Sequence, residues 1–190
     1  VTWRQPLVLA SASARRRELL EQVGIPLEVV PSAADEHIDA MLGADEAVLA
    51  IARRKAADVH VRMPDRAVLA ADTLVRIDQI LLGKPTDADE AAAMLRRLSG
   101  RRHEVLTGVV LITGDGRRER VSRTRVRLAD LTPEEIAAYV AGPEPYDKAG
   151  GYGIQATAGW FVTEIEGSYS NVMGLPLESV REMMIEAGLP

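Results

Sequence analysis

Cysteine is absent from the 190 residues of this chain. That excludes disulfides, cysteine-ligated zinc, iron–sulfur centres and thiolate catalysis, and it permits the reducing cytoplasm, where the chain is expected. Aromatic residues make up 4% of the sequence, with Phe161 the single phenylalanine, so stacking platforms for single-stranded nucleic acid are scarce. No apolar run is long enough to span a bilayer and no basic-then-apolar pattern opens the sequence. Neither a membrane segment nor a secretory leader is therefore expected. A positive excess is missing too: 23 basic and 28 acidic side chains leave a net charge of -5, which provides no field for bulk nucleic acid binding. A local basic pocket for a small polyanion remains compatible with that balance. His37, His60 and His103 are scattered without ligand spacing and receive no role.

What is present is a 47% hydrophobic chain in which strand and helix patterns interleave. It suits one domain with a real core, or two small fused lobes. Leu7–Leu9 reads as a buried strand. Ser13 then caps a helix whose Arg16, Leu19, Leu20 and Val23 share one side, with Gly24 as its stop. Pro26–Val30 looks extended, and Ser32–Gly43 is a polar loop holding Asp35, Glu36, His37 and Asp39. A helix is expected over Asp45–His60, with Val48, Ile51, Ala52, Lys55, Ala56 and Val59 inward. Ala67–Ala71 is the best core strand. It ends in Asp72-Thr73, Leu74–Ile77 is open to continuing it, and Asp78-Gln79 is able to turn the chain back into Ile80–Leu82. After Gly83-Lys84-Pro85, a helix capped by Thr86 or Asp87, with Glu90 as candidate partner, runs to Ser99-Gly100. Val105–Ile112 is a strand that turns back at Thr113–Gly116. On the return strand Ser122, Thr124, Val126 and Leu128 face one way and Arg123, Arg125 and Arg127 the other. Thr132-Pro133-Glu134-Glu135 starts a helix that reaches about Val140. A Gly- and Pro-rich stretch covers Gly142–Gly153, strand is expected from Ile154 onward, Gly167–Pro176 is irregular, and Leu177–Ala187 is a closing helix. No internal repeat is visible. The hairpin makes a mixed sheet with helices around it a better fit than a purely parallel one.

The chemistry concentrates at four places. Ala10-Ser11-Ala12-Ser13-Ala14-Arg15-Arg16-Arg17 lies where the first strand gives way to a helix. Unpaired N–H groups at a helix start attract anions, and guanidiniums grip phosphate oxygens bidentately. Positive charge in a first helical turn opposes the helix dipole, and a bound polyanion offsets that. Lys55 sits within an apolar stripe, either as a snorkelling stem or directed into an anion pocket. Asp72 follows the central apolar run, where α/β proteins put reactive groups. It is a metal ligand, a base that orients water, or an Asx cap. Glu36, Asp35 and Asp147 are loop carboxylates of the kind that gather around Mg²⁺ in phosphoryl chemistry, although any one of them alone is an ordinary solvated group. Lys84 lies in a shaped Gly-Lys-Pro turn. In Gly150-Gly151-Tyr152-Gly153-Ile154-Gln155 the glycines let the backbone approach a ligand, and the Gln155 amide is able to read the donor–acceptor edge of a pyrimidine. It also reads as a plain surface glutamine. No Walker A loop, dinucleotide-binding glycine motif or serine hydrolase motif is present.

Taken in order, these segments resemble the Maf family of nucleoside triphosphate pyrophosphatases, from Leu7 to about Val180. Ala10, Ser11, Ser13, Arg15 and Arg16 match its opening Ala-Ser-x-Ser-Pro-Arg-Arg motif, with Ala14 in place of the proline. Glu36 matches the next acidic residue, and Lys55 the lysine of its arginine/lysine–alanine helix. Asp72-Thr73 matches its central motif, and Gly83-Lys84-Pro85 its turn. Asp147-Lys148-Ala149-Gly150 through Gln155 matches its late loop. The resemblance implies one domain over residues 1–190 with the inosine-triphosphatase-like (Maf/Ham1) fold: a mixed sheet flanked by helices, with two lobes around a cleft. It implies cleavage of a nucleoside triphosphate between the α and β phosphates, a divalent cation (Mg²⁺ or Mn²⁺) and a homodimer. The late loop looks like the branch acting on dTTP and UTP. On this basis Ser11, Ser13, Arg15, Arg16, Lys55, Thr73, Lys84, Asp147, Lys148 and Gln155 are expected to bind substrate. Asp72, Glu36, Lys84 and Arg15 are expected to carry catalysis, with Asp72 and Glu36 on the metal. Three other readings stay open: a purine- or modified-nucleotide-selective house-cleaning enzyme, a non-catalytic nucleotide-binding division regulator, and a nucleic acid binder using Arg123, Arg125 and Arg127. The short strip and acidic balance weigh against the last.

Overall fold

The computed structural model describes residues 4–39, 41–155 and 157–190. Strand β1 (Leu7–Leu9) is followed by helix α1 (Ala14–Gln22), β2 (Leu27–Val29), α2 (Ala44–Arg62), β3 (Val68–Ile77), β4 (Ile80–Leu82) and α3 (Ala88–Leu98). The long hairpin β5 (Arg102–Thr113) and β6 (Gly116–Leu128) comes next, then α4 (Pro133–Val140). Three 3₁₀ turns (Glu144–Asp147, Ala149–Gly151, Thr157–Phe161) lead to β7 (Val162–Glu166), the short α5 (Tyr169–Val172) and α6 (Leu177–Glu186). The strands form one mixed sheet in the order β2-β1-β3-β5-β6-β7, with β4 paired to β3. β1 is parallel to β2 and β3, while β3–β4 and β6–β7 are antiparallel.

The chain divides into two compact units, one of residues 1–72, 107–122 and 174–190, the other of residues 73–106 and 123–173. In the first, Val8, Ala10, Ala52, Ala56, Val59, Val68, Ala70 and Val110 form a core between sheet and α2. Small residues let helix and sheet approach closely. At Gly108 an added Cβ would lie 2.8 Å from the Val48 carbonyl carbon. In the second, Leu95, Leu98, Val105, Leu128, Ile136, Tyr139 and Phe161 belong to a separate core. There Tyr139 and Phe161 meet edge to face at 5.3 Å, the arrangement aromatic quadrupoles favour.

Local chemistry starts several helices. The Ser13 hydroxyl accepts from Arg16 N at 3.4 Å at the α1 cap. Asp87 rather than Thr86 caps α3, accepting from Glu90 N at 2.8 Å, and the Glu90 carboxylate in turn accepts from Thr86 N at 2.7 Å. Thr132 and Glu135 close a reciprocal capping box with Pro133 in the first turn. Three expectations are corrected. Val23 does not share the buried side of α1: it is 54% exposed, because the helix ends before it and Gly24 turns the chain at φ 77°. Asp72 does not end its strand. Its backbone continues the ladder, so Val68–Ile77 is one element, buried over almost its whole length. Strand does not resume at Ile154. Thr157–Phe161 forms a 3₁₀ turn and β7 begins only at Val162, where pairing with Leu128 becomes available.

Candidate active site

In the first unit β1 ends at Leu9, whose parallel partner is Leu69. β3 runs on past that point, so Asp72 lies beyond the carboxyl end of the parallel pair although it is in mid-strand. Open α/β sheets hold ligands outside such strand ends. Asp72 is only 5% exposed and so is Lys55, which α2 directs at it. The Lys55 ammonium donates to Asp72 Oδ1 at 2.6 Å and lies 2.8 Å from Glu36 Oε1. Of the two readings of Lys55, the snorkelling stem does not occur. Its apolar neighbours on α2 bury the stem, and the charge is met by two carboxylates rather than by water. Breaking such a buried pair leaves an uncompensated charge.

The segment after β1 is built around Arg16, which is 8% exposed. Its Nε donates to the Gly174 carbonyl at 2.7 Å, and Nη1 donates to Ser11 Oγ at 3.2 Å. Ser11 Oγ also accepts from Ser13 N at 3.2 Å. Burial pulls the Arg16 guanidinium below its usual value, Asp72 and Glu36 oppose that shift, and Arg15 adds to it. Arg15 is half-buried on the first turn of α1, and Arg17 is exposed. This unit therefore brings Ser11, Ser13, Arg16, Lys55, Asp72 and Glu36 into one network, with Arg15 beside it. Among the described residues no group of three or more His, Asp or Glu side chains stands ready for a metal. Asp72 and Glu36 together are a hard oxygen pair held on one cation. They fit Mg²⁺ or Mn²⁺, which keep several waters and take phosphate oxygens alongside one or two carboxylates.

The remaining candidates lie in the second unit. Thr73 is half-buried on β3 and Lys84 is exposed. The Gly150 N–H donates to the Gly83 carbonyl at 2.9 Å, which joins the Gly-Lys-Pro turn to the late loop. Gly150 needs its φ of 72°, and a Cβ there would come 3.0 Å from Val75 Cγ2. Lys148 folds back, donating to the Glu144 carbonyl at 2.7 Å and to Asp147 Oδ1 at 2.6 Å. Gln155 is exposed.

Reasoning from the sequence did not reach three buried polar partnerships. Gly174 accepts from Arg16 through a carbonyl, which side-chain reading cannot see. Asn171 is fully buried and its amide donates to the Val105 carbonyl and to Thr124 Oγ1, both at 3.0 Å. His103, left without a role, is 3% exposed with its Nε2 2.6 Å from the Tyr152 hydroxyl. The inward parity of Val105 extended back two residues would have found it, since β5 begins at Arg102. Arg125 of the outward arginine row pairs with Glu166 of β7, and Arg102 of β5 pairs with Glu164, so this surface is of mixed sign.

The profile of the family "Maf-like protein" matches residues 6–187. The dTTP/UTP pyrophosphatase of Symbiobacterium thermophilum is 50% identical over 186 residues, covering 98% of this chain and 96% of that protein. The proteins of the same name from Geobacillus sp. and Methylobacillus flagellatus are 48% and 46% identical over 178 and 185 residues. They cover 93% and 96% of this chain, and 96% and 93% of those proteins. Among solved structures, the Ham1 protein of Staphylococcus aureus matches with a TM-score of 0.53 at 12% identity, over 96% of this chain and all of that one, a likeness of fold alone. A profile that spans nearly all of the sequence, with relatives at about half identity along its length, places this chain in the Maf family.

Proposed function

We propose that this chain hydrolyses dTTP and UTP between the α and β phosphates, releasing the nucleoside monophosphate and pyrophosphate. The observation that carries the chemistry is the buried Asp72 carboxylate, held by Lys55 together with Glu36 in the same unit as the Ser13-capped helix start. Positioning and electrostatics dominate phosphoryl transfer. Ser11, Ser13, Arg15 and Arg16 are assigned to the phosphates, with Lys84 and the charge of Lys55 adding to their neutralisation. Asp72 orients the attacking water and accepts its proton. Asp72 and Glu36 would hold a divalent cation, which supplies positive charge against the phosphate oxygens. Thr73, Asp147 and Lys148 are assigned to substrate contact, and the exposed Gln155 amide to the base edge. The pyrimidine preference follows the names of the relatives and the match of the late loop. We take residues 1–190 as one domain working as a cytoplasmic homodimer. No helix among the described residues is long and apolar enough to cross a membrane.

The test is pyrophosphate release with Mg²⁺ or Mn²⁺ over dTTP, UTP, CTP, GTP and ATP, for the parent protein and two variants. Asp72→Asn is expected to lower kcat by at least about 10²-fold, the scale of a lost general base, while calorimetry finds nucleotide still bound. Near-normal turnover would remove Asp72 from this role. Gln155→Ala is expected to change the ratios among bases more than the affinity for the phosphates, and unchanged ratios would dismiss it as a base reader.

A further inference from the structure

The segment from Lys148 to Gln155 holds only one short 3₁₀ turn, Ala149–Gly151, so a sheet ladder does not fix its conformation. Three anchors do. One is the backbone bond from Gly150 to Gly83 described above. A second is the Lys148 stem, which lies over Gly153 so closely that a Cβ there would be 2.4 Å from Lys148 Cε. The third is Tyr152, 5% exposed, whose hydroxyl sits 2.6 Å from His103 Nε2. The phenol and imidazole rings also meet edge to face, with centroids 5.4 Å apart at 86°. Tyr152 belongs to the second core, among residues such as Val105, Leu95 and Phe161. A phenylalanine would fill that space equally well, so volume does not explain the hydroxyl. The Tyr152 hydroxyl and His103 Nε2, buried and bonded to one another, are costly to separate and hold a defined geometry.

We propose that His103 is a positioning residue for nucleobase selection: its hydrogen bond to Tyr152 sets the seating of residues 150–155 and so the place where the Gln155 amide meets the base. This rests on the role assigned to Gln155 above. Burial pushes the His103 imidazole down to about 4 and raises the Tyr152 phenol. Both groups are therefore neutral around pH 7, and the contact is a directional bond rather than an ion pair.

Tyr152→Phe removes one oxygen and keeps the ring. His103→Gln keeps a polar amide on the same strand and serves as the conservative variant. The kinetic readout is kcat and KM for dTTP, UTP and CTP. Losing one hydrogen bond is worth up to about tenfold. Tyr152→Phe is therefore expected to raise KM for dTTP by about five- to tenfold, leave kcat within about twofold, and narrow the dTTP-to-CTP preference. His103→Gln, which leaves the Tyr152 hydroxyl a polar partner, is expected to retain most of that preference. The second readout is amide hydrogen exchange, in which residues 148–155 exchange faster in Tyr152→Phe while β5 does not. A purely structural role predicts a lower melting temperature with an unchanged dTTP-to-CTP ratio and unchanged exchange in the segment, and that result overturns the proposal. A parent protein without preference for dTTP and UTP overturns the functional reading itself, a failure visible before any variant is made. Hydrogen exchange then still decides whether the bond anchors the segment.

Discussion

Replacing Lys55 with methionine removes one positive charge while keeping most of the side-chain volume, and it leaves Asp72 only 5% exposed with its nearest cation gone. Removing one partner from a buried ion pair destabilises by about 3–5 kcal/mol, because the remaining charge is stranded. Two features push the expectation toward the lower end of that range. Arg16 stays close enough to Asp72 for the two charges to interact. The Glu36 side chain is 44% exposed, so its half of the bridge is worth under about 1 kcal/mol. A loss of about 3 kcal/mol in a chain of this size corresponds to a fall in melting temperature of about 6–12 °C. The measurement is thermal and urea unfolding of the parent, Lys55→Met, Asp72→Asn and the double variant. With the carboxylate neutralised, the lysine-to-methionine change has no charge to strand at that position, so the cycle is expected to show a coupling of about 2 kcal/mol. Millimolar Mg²⁺ or Mn²⁺ is expected to stabilise Lys55→Met more than the parent, since a cation then takes over between the two carboxylates. Additive losses, or a Lys55→Met variant that melts within about 2 °C of the parent, would refute the reasoning that this lysine compensates buried charge.

Two further outcomes are expected. His103 has a folded value of about 4 against an ordinary 6.5, so the unfolded chain takes its proton first. Its contribution is fully present above about pH 6.5 and is lost as pH falls toward 4, for a total of about 3 kcal/mol. Urea titrations at pH 7 and 4.5 should show a shallower loss for His103→Gln than for the parent, and equal losses would assign the acid sensitivity elsewhere. Gly108→Ala would drive a methyl to 2.8–3.0 Å from the backbone of Val48 and Leu49. Because α2 cannot yield there locally, a loss of about 1–3 kcal/mol is expected in unfolding experiments, and a neutral result would mean that helix and sheet can separate at that point.

The parts legible in the sequence were those decided within a few residues. Ser13, Asp87 and Thr132 with Pro133 act on amides of the next turn. The Thr113–Gly116 turn closes its own hairpin, and the burial of Thr124, Val126 and Leu128 against exposed Arg123, Arg125 and Arg127 follows from strand parity. Site residues were marked by an ordered series of motifs, and even the placement of Asp72 after an apolar run was visible. What remained hidden depended on partners far along the chain. Whether the central strand ran on past Asp72-Thr73 was left open by the local pattern, and the structure continues it to Ile77. The delay of β7 to Val162 was set by its pairing with β6. His103 looked idle until Tyr152, 49 positions later, came within reach of its ring.

Alone, the sequence determined the fold class and the family and marked the candidate reactive groups, because caps, periodicity and motif spacing are properties of neighbouring residues. Only the tertiary structure decided how those groups are committed. It decided between the two open readings of Lys55 by making it the shared cation of Asp72 and Glu36, and it tied Arg16 to Gly174 and Ser11. Burial makes such partnerships obligatory, since a charge or donor removed from water must be matched by whatever the fold brings beside it, and that neighbour is chosen in three dimensions.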